Sequence, residues 1–169
     1  MKQMILITLL ISVLSGVTLN AQLKVTAGDI VSKENVSIKL LKTIFENSYY
    51  EILETTSTYI KIKDDYNIYI DLDKDNRYLT YSVKWSINSN FSQTDKLQLL
   101  NKISKEVLLV TPYYSDSESN LVIKATIWIE GGSTVKNIIL SEKIFVKALK
   151  LILEKDTDRI IKTAVSSIS

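Results

Sequence analysis

Neither histidine nor cysteine occurs in the 169 residues. That removes Ser-His-Asp and Cys-His nucleophilic sites, which need an imidazole as base. It also removes zinc centres of the usual nitrogen and sulfur kind. Disulfides are excluded too, so a secreted form would depend on a large core rather than on cross-links. Four glycines are too few and too scattered to build a phosphate-cradling GxGxxG or P-loop. With a single proline and no low-complexity tract there is no linker, and one domain is the plain reading. Neither sign of charge dominates: 21 basic and 19 acidic residues leave a net +2. This balance offers no footprint for nucleic acid and no polybasic membrane patch. No cofactor, metal site or catalytic residue is therefore expected. Two-carboxylate glycosidase chemistry stays formally open, but no acidic pair stands out.

What is present begins with a short charged start, Met1-Lys2-Gln3, followed by an apolar run from Met4 to about Val17. Thr18-Leu19-Asn20-Ala21 then offers a small residue for cleavage before Gln22. Residues 1–21 read as a secretory signal peptide. The apolar run is shorter than the roughly 20 residues a spanning helix needs. The expectation is an exported protein, periplasmic or extracellular, with no stable membrane insertion after cleavage. The alternative is an uncleaved anchor helix, because Leu19 is bulky for the −3 position. Roughly 150 residues then remain, enough for a core without staples.

Periodicity orders these residues. Val36, Leu40, Leu41, Ile44 and Phe45 recur at helical spacing over 33–47, with Ser32 placed as N-cap. The period then becomes two. Ile60 and Ile62 alternate with Lys61 and Lys63; Ile68, Ile70 and Leu72 alternate with Tyr69 and Asp71. Leu79, Tyr81, Val83, Trp85 and Ile87 alternate with Tyr78, Thr80, Ser82, Lys84 and Ser86. These are strands with one wet face, joined by turns at Asp64-Asp65 and Lys74-Asp75-Asn76. Tyr50 to Glu54 suggests one more short strand. Ser92-Gln93-Thr94-Asp95 starts a second helix over 92–107 with a capping box; Leu97, Leu100, Ile103 and Val107 form its apolar stripe. Strands follow at about 108–114 and 120–130, the latter ended by Gly131-Gly132. A third helix over 141–154 is expected to bury Ile144, Phe145, Ala148, Leu149 and Ile152. From Thr157 helical spacing returns with Ile160, Ile161, Ala164, Val165 and Ile168.

The reading is an α+β fold, order α-β(3-4)-α-β(2)-α. It has an antiparallel sheet, helices mainly on one face and a C-terminal helical tail. The segments are a signal (1–21), a leader (22–32), the α+β domain (33–155) and the tail (156–169).

Within this order, four stretches carry a resemblance. They are Leu99-Leu100-Asn101-Lys102-Ile103, the strand Leu121 to Gly132, and Leu140-Ser141-Glu142, together with Ile68-Tyr69-Ile70-Asp71-Leu72-Asp73. Over roughly residues 33–153 the chain resembles the YbjN-like family, whose fold is that of type III secretion chaperones. Val107-Leu108-Leu109-Val110 departs from the family's more polar, Gly-containing approach to the strand. The resemblance implies a non-enzymatic binding or regulatory domain and allows a homodimer.

Asp71, Asp73 and Asp75 stand at the first, third and fifth positions of an EF-hand-like loop. The sixth position is Asn76 rather than Gly, and the twelfth is Ser82 rather than Glu. The glycine for the turn and the bidentate ligand are both missing. A hairpin turn with Asn76 left-handed is the expected structure.

The aromatics divide by strand parity. Trp85 shares its face with Leu79 and Val83 and belongs to the core. Trp128 shares its face with Lys124, Thr126 and Glu130 and belongs to the open side. Tyr59, Tyr69 and Tyr78 fall on the matching polar faces, with Lys61, Lys63, Lys84 and Lys124. Two meanings stand side by side: cross-strand pairs that stabilise an exposed face, and a docking surface with aromatic anchors. Trp128, Tyr69, Tyr78, Tyr59, Lys84 and Lys124 are the candidate interaction surface for an unknown protein partner. Two other functions stay open: a carrier with an apolar pocket between helices and sheet, and a carboxylate-based hydrolase.

Overall fold

The computed structural model describes residues 24–115 and 119–162. The expected signal peptide lies outside them. Seven strands form one antiparallel sheet, and three helices cover one side of it. The sheet comprises β2 (Glu51–Thr55), β3 (Tyr59–Lys63), β4 (Asn67–Leu72), β5 (Tyr78–Ile87), β6 (Thr111–Tyr114), β7 (Asn120–Trp128) and β9 (Ile161–Lys162). The spatial order is β2-β3-β4-β5-β7-β6, with β9 beside the end of β5. The helices are α1 (Ile38–Asn47), α2 (Gln93–Glu106) and α3 (Val135–Lys155). A small separate ladder pairs β1 (Ile30–Val31) with β8 (Ser133–Thr134). It buries Val31 and fastens residues 30–31 to the head of α3.

Strict alternation builds the sheet. Ile60, Ile62, Ile68, Ile70, Leu79, Tyr81, Val83, Leu121 and Ile123 are all buried on the helix side. Directly paired residues keep to one face, so Ile60↔Ile70↔Tyr81 forms one buried row. Phenol hydroxyls lash helices to strands: Tyr81 donates to the Ile138 carbonyl at 2.9 Å and Tyr114 to the Lys96 carbonyl at 2.8 Å. The Asp73–Arg77 turn has Asn76 at φ 59, as the turn chemistry required. Gly132, at φ 91, ends the β7 region in a conformation only glycine takes without strain.

The capping box of α2 is in place. The Ser92 hydroxyl accepts from Asp95 N–H, and the Asp95 carboxylate accepts from Ser92 N–H at 3.0 Å. Ser92→Ala is expected to lower stability by about 1 kcal/mol. An unchanged urea midpoint would show that the cap contributes nothing.

Four expectations need correcting. The first helix starts at Ile38 with Ser37 as N-cap, because Ser32 is held in a preceding turn by Asn35. The third helix starts six residues early, at Val135, where Thr134 caps the Asn137 N–H at 3.1 Å. Leu97 and Ile144 are each half exposed, and Leu99 and Val146 are buried instead; Leu100 is only partly buried. The tail is not helical over its described part. The Asp156 carboxylate accepts from the Ile160 and Ile161 N–H groups at 2.9 and 2.7 Å, and Arg159 turns left-handed. The chain reverses there and pairs Ile161 and Lys162 with Ile87 and Ser86. The expected helical residues Ala164, Val165 and Ile168 lie outside the described residues.

Candidate interaction surface

No described helix lies on the second face of the sheet. It carries Tyr59, Lys61 and Lys63 from β3, Tyr69 and Asp71 from β4, and Tyr78, Thr80, Ser82 and Lys84 from β5. Val122, Lys124, Thr126 and Trp128 come from β7, and Thr111 and Tyr113 from β6. All six candidate residues therefore share one surface. The described end of the chain, through Lys162, extends the sheet edge-on rather than lying across this face.

Register decides which of them meet. Tyr78 and Trp128 are direct partners across β5 and β7, with ring centroids 5.2 Å apart and planes at 64°. Tyr59 and Tyr69 form a second edge-to-face pair at 5.6 Å and 65°. Lys61 lies 5.0 Å over the Tyr69 ring. Lys124 lies 5.0 Å over the Tyr113 ring, a contact that parity in a four-residue strand had not signalled. Lys84 is exposed and pairs across strands with Val122. The Tyr59 hydroxyl donates to Glu54 at 2.7 Å, which raises its pKa. Asp71 is partly buried between Tyr59 and Thr80; burial raises its pKa and Lys124 pulls it back. Trp128 remains 64% exposed despite its partner.

The acids of the β4–β5 turn do not converge. Asp73 and Asp75 both engage Arg77, at 3.3 and 3.5 Å, while Asp71 points from the strand. Among the described residues no cluster of three metal-ligating side chains occurs.

On the helix side stands Glu142, which sequence reading met only within the stretch Leu140-Ser141-Glu142 and did not single out as a site. It is fully buried, accepts from the Tyr50 hydroxyl through Oε2, and leaves Oε1 without a partner among the described residues. Burial pushes its pKa up to about 7, against the pull of Tyr50 and Lys143. Lys143 sits 3.7 Å away but turns its ammonium to Asp64 at 2.7 Å. Its own pKa is raised: burial lowers it, and the bonds to Asp64 and Tyr50 more than offset that.

Among the described residues a space of about 130 Å³ lies between α3 and the sheet, beside Leu109, Ile127, Ile144 and Phe145. A ligand pocket usually needs about 300 Å³ or more. A wider groove of about 340 Å³ lies elsewhere, between residues 24–31 and α1. Asp29 in its wall is engaged by Thr26, whose N–H and hydroxyl donate at 2.7 and 2.8 Å.

No family model and no curated protein matches this sequence. Solved structures do match its shape. The crystal structure of YbjN from E. coli superposes with a TM-score of 0.64 at 13% identity, covering 76% of this chain and 97% of YbjN. The fold is YbjN-like. An uncharacterized protein from Methanothermobacter thermautotrophicus follows at 0.56 and 12%, covering 74% of this chain and 99% of its own. The Yersinia pestis type III secretion chaperone SycH, solved with a fragment of YscM2, is a more distant likeness at 0.45 and 15%, covering 68% of this chain and 98% of that one. At these identities the YbjN likeness speaks for the fold alone, and it spans the sheet and helices that position the open face.

Proposed function

We propose that this protein is an exported, non-enzymatic binding domain that docks a partner protein on the open face of its YbjN-like sheet. The observation that carries the reading is the exposure of Trp128 beside Tyr78 on a face no described element covers. A Trp side chain offers roughly 200 Å² of mostly apolar surface, and central aromatics are what dominate protein interfaces. The edges of the sheet suit docking on the face better than strand addition. β2 carries Glu51 and Glu54 and a register break, and β6 is short and holds Pro112. A homodimer on the same face is one form of the proposal.

Trp128→Ala is expected to weaken partner capture from an envelope fraction about tenfold or more, while the melting temperature falls by only a few degrees. A large fall in melting temperature with unchanged capture and unchanged light-scattering mass would make Trp128 structural and end the proposal. Export is tested separately. N-terminal sequencing of protein recovered outside the cytoplasm is expected to begin at Gln22, and retention of residues 1–21 would overturn cleavage.

A further inference from the structure

The open face is charged unevenly. Lys61, Lys63, Lys84, Lys124 and Lys162 belong to it by register, and none makes an ion pair among the described residues. Its acids are four, Glu51, Glu54, Asp71 and, just past β7, Glu130; Glu54 is bonded to Tyr59 and Glu130 lies 3.9 Å from Lys33. One row crosses the sheet as direct partners, Lys61↔Tyr69↔Ser82↔Lys124, and continues to Glu54 of β2 beside Lys61 and to Thr111 of β6 beside Lys124. Strands lie about 4.8 Å apart, so the two lysine stems in this row are rooted roughly 14 Å apart. An extended peptide sets alternate side chains roughly 6.7 Å apart on one side. Two carboxylates four residues apart therefore match the two lysines, and the residue midway faces Tyr69 and Ser82.

Resting on the docking reading above, we infer that the partner presents an extended acidic segment, with two carboxylates four residues apart, laid across the Lys61–Lys124 row. Nucleic acid fits the face less well. Both ring pairs are edge-to-face, at 64° and 65°, so they form no flat platform for successive bases. Asp71, in the row next to the lysines, interrupts a continuous basic track for phosphates.

The test is fluorescence anisotropy of the purified full-length protein with a labelled synthetic peptide, Gly-Ser-Glu-Ser-Leu-Ser-Glu-Ser-Gly. Its counterpart with both Glu replaced by Gln and a labelled oligothymidylate are run beside it. The Glu peptide is expected to bind at least about tenfold more tightly than the Gln peptide. The pair Lys61→Glu and Lys124→Glu should abolish this preference with an unchanged melting curve. The pair Lys39→Glu and Lys136→Glu, an equal charge change on the helix side, should preserve it. Asp71→Asn should tighten binding by removing a like charge. Equal binding of the Glu and Gln peptides overturns the acidic partner, and the docking reading survives if Trp128→Ala still weakens both. Tighter binding of oligothymidylate overturns it in favour of nucleic acid. Absence of peptide binding, or indifference to the Lys61/Lys124 reversal, also overturns it, whereas the docking reading falls only on the Trp128→Ala capture result.

Discussion

Phe145→Ala is expected to lower stability by about 3–5 kcal/mol, the range for emptying a large buried aromatic site. The ring sits on α3 at 2% exposure and lies 6.1 Å from the Tyr81 ring, centroid to centroid. Tyr81 is itself fully buried and holds α3 through its hydroxyl bond to the Ile138 carbonyl. Removing Phe145 therefore takes away apolar contact and also loosens the junction of α3 with β5. The existing space of about 130 Å³ beside the ring would grow rather than close, because sheet backbone forms one wall. Leu100→Ala, at a partly buried site on α2, is expected to cost clearly less in the same urea melts. A loss below about half a kcal/mol for Phe145→Ala would show that α3 is not held through this ring.

The second large effect is a pH dependence carried by Glu142. Its pKa stands at about 7 in the folded chain, against 4.5 for an ordinary glutamate. Below about pH 4.5 both states hold the proton, and the group imposes no cost. Between 4.5 and 7 the unfolded chain releases the proton and the folded chain keeps it, so stability falls as pH rises. Above 7 the loss is complete, at about 3 kcal/mol. Tyr50 titrates far above this window, its phenol raised by burial and by the bond to Glu142. Glu142→Gln keeps an acceptor for the Tyr50 hydroxyl but has no charge to bury. The stability difference between pH 5 and pH 8 should shrink by about 2.5 kcal/mol in this variant, since part of the loss has already occurred at pH 5. If wild type and Glu142→Gln lose stability in parallel over that range, Glu142 is not the titrating group.

How much of this was legible follows from particular residues. The strands were legible because Ile60 to Lys63 and Leu79 to Ile87 alternate without a break, and a period of two has only two faces to choose from. The same parity separated Trp85 from Trp128 correctly. Ser92 and Asp95 announced α2 because a capping box is local chemistry. Helix faces were harder. α3 carries Leu140 and Ile144 beside Ile138, Phe145 and Leu149, so its apolar stripe is wider than the face it buries. The sheet decides which edge of that stripe stays wet. Its start at Val135 was hidden because Ser133, Thr134 and β-branched Val135 directly follow the strand-ending Gly131-Gly132 and read as more extended chain. The tail failed for a local reason as well. Asp156 captures two N–H groups ahead of it, and this competes with the helical spacing of Ile160 and Ile161.

The sequence by itself determined the α+β class, the antiparallel hairpins and the side of each strand that meets water, since these depend on neighbours two to four residues away. Only the tertiary structure decided that Tyr78 meets Trp128, that Lys61 and Lys124 share one row, and that Glu142 is buried with one oxygen unpartnered among the described residues. β5 and β7 are separated in sequence by all of α2 and β6. Their register is therefore set by how the helices settle on the far side of the sheet, a long-range balance of burial that no local spacing records.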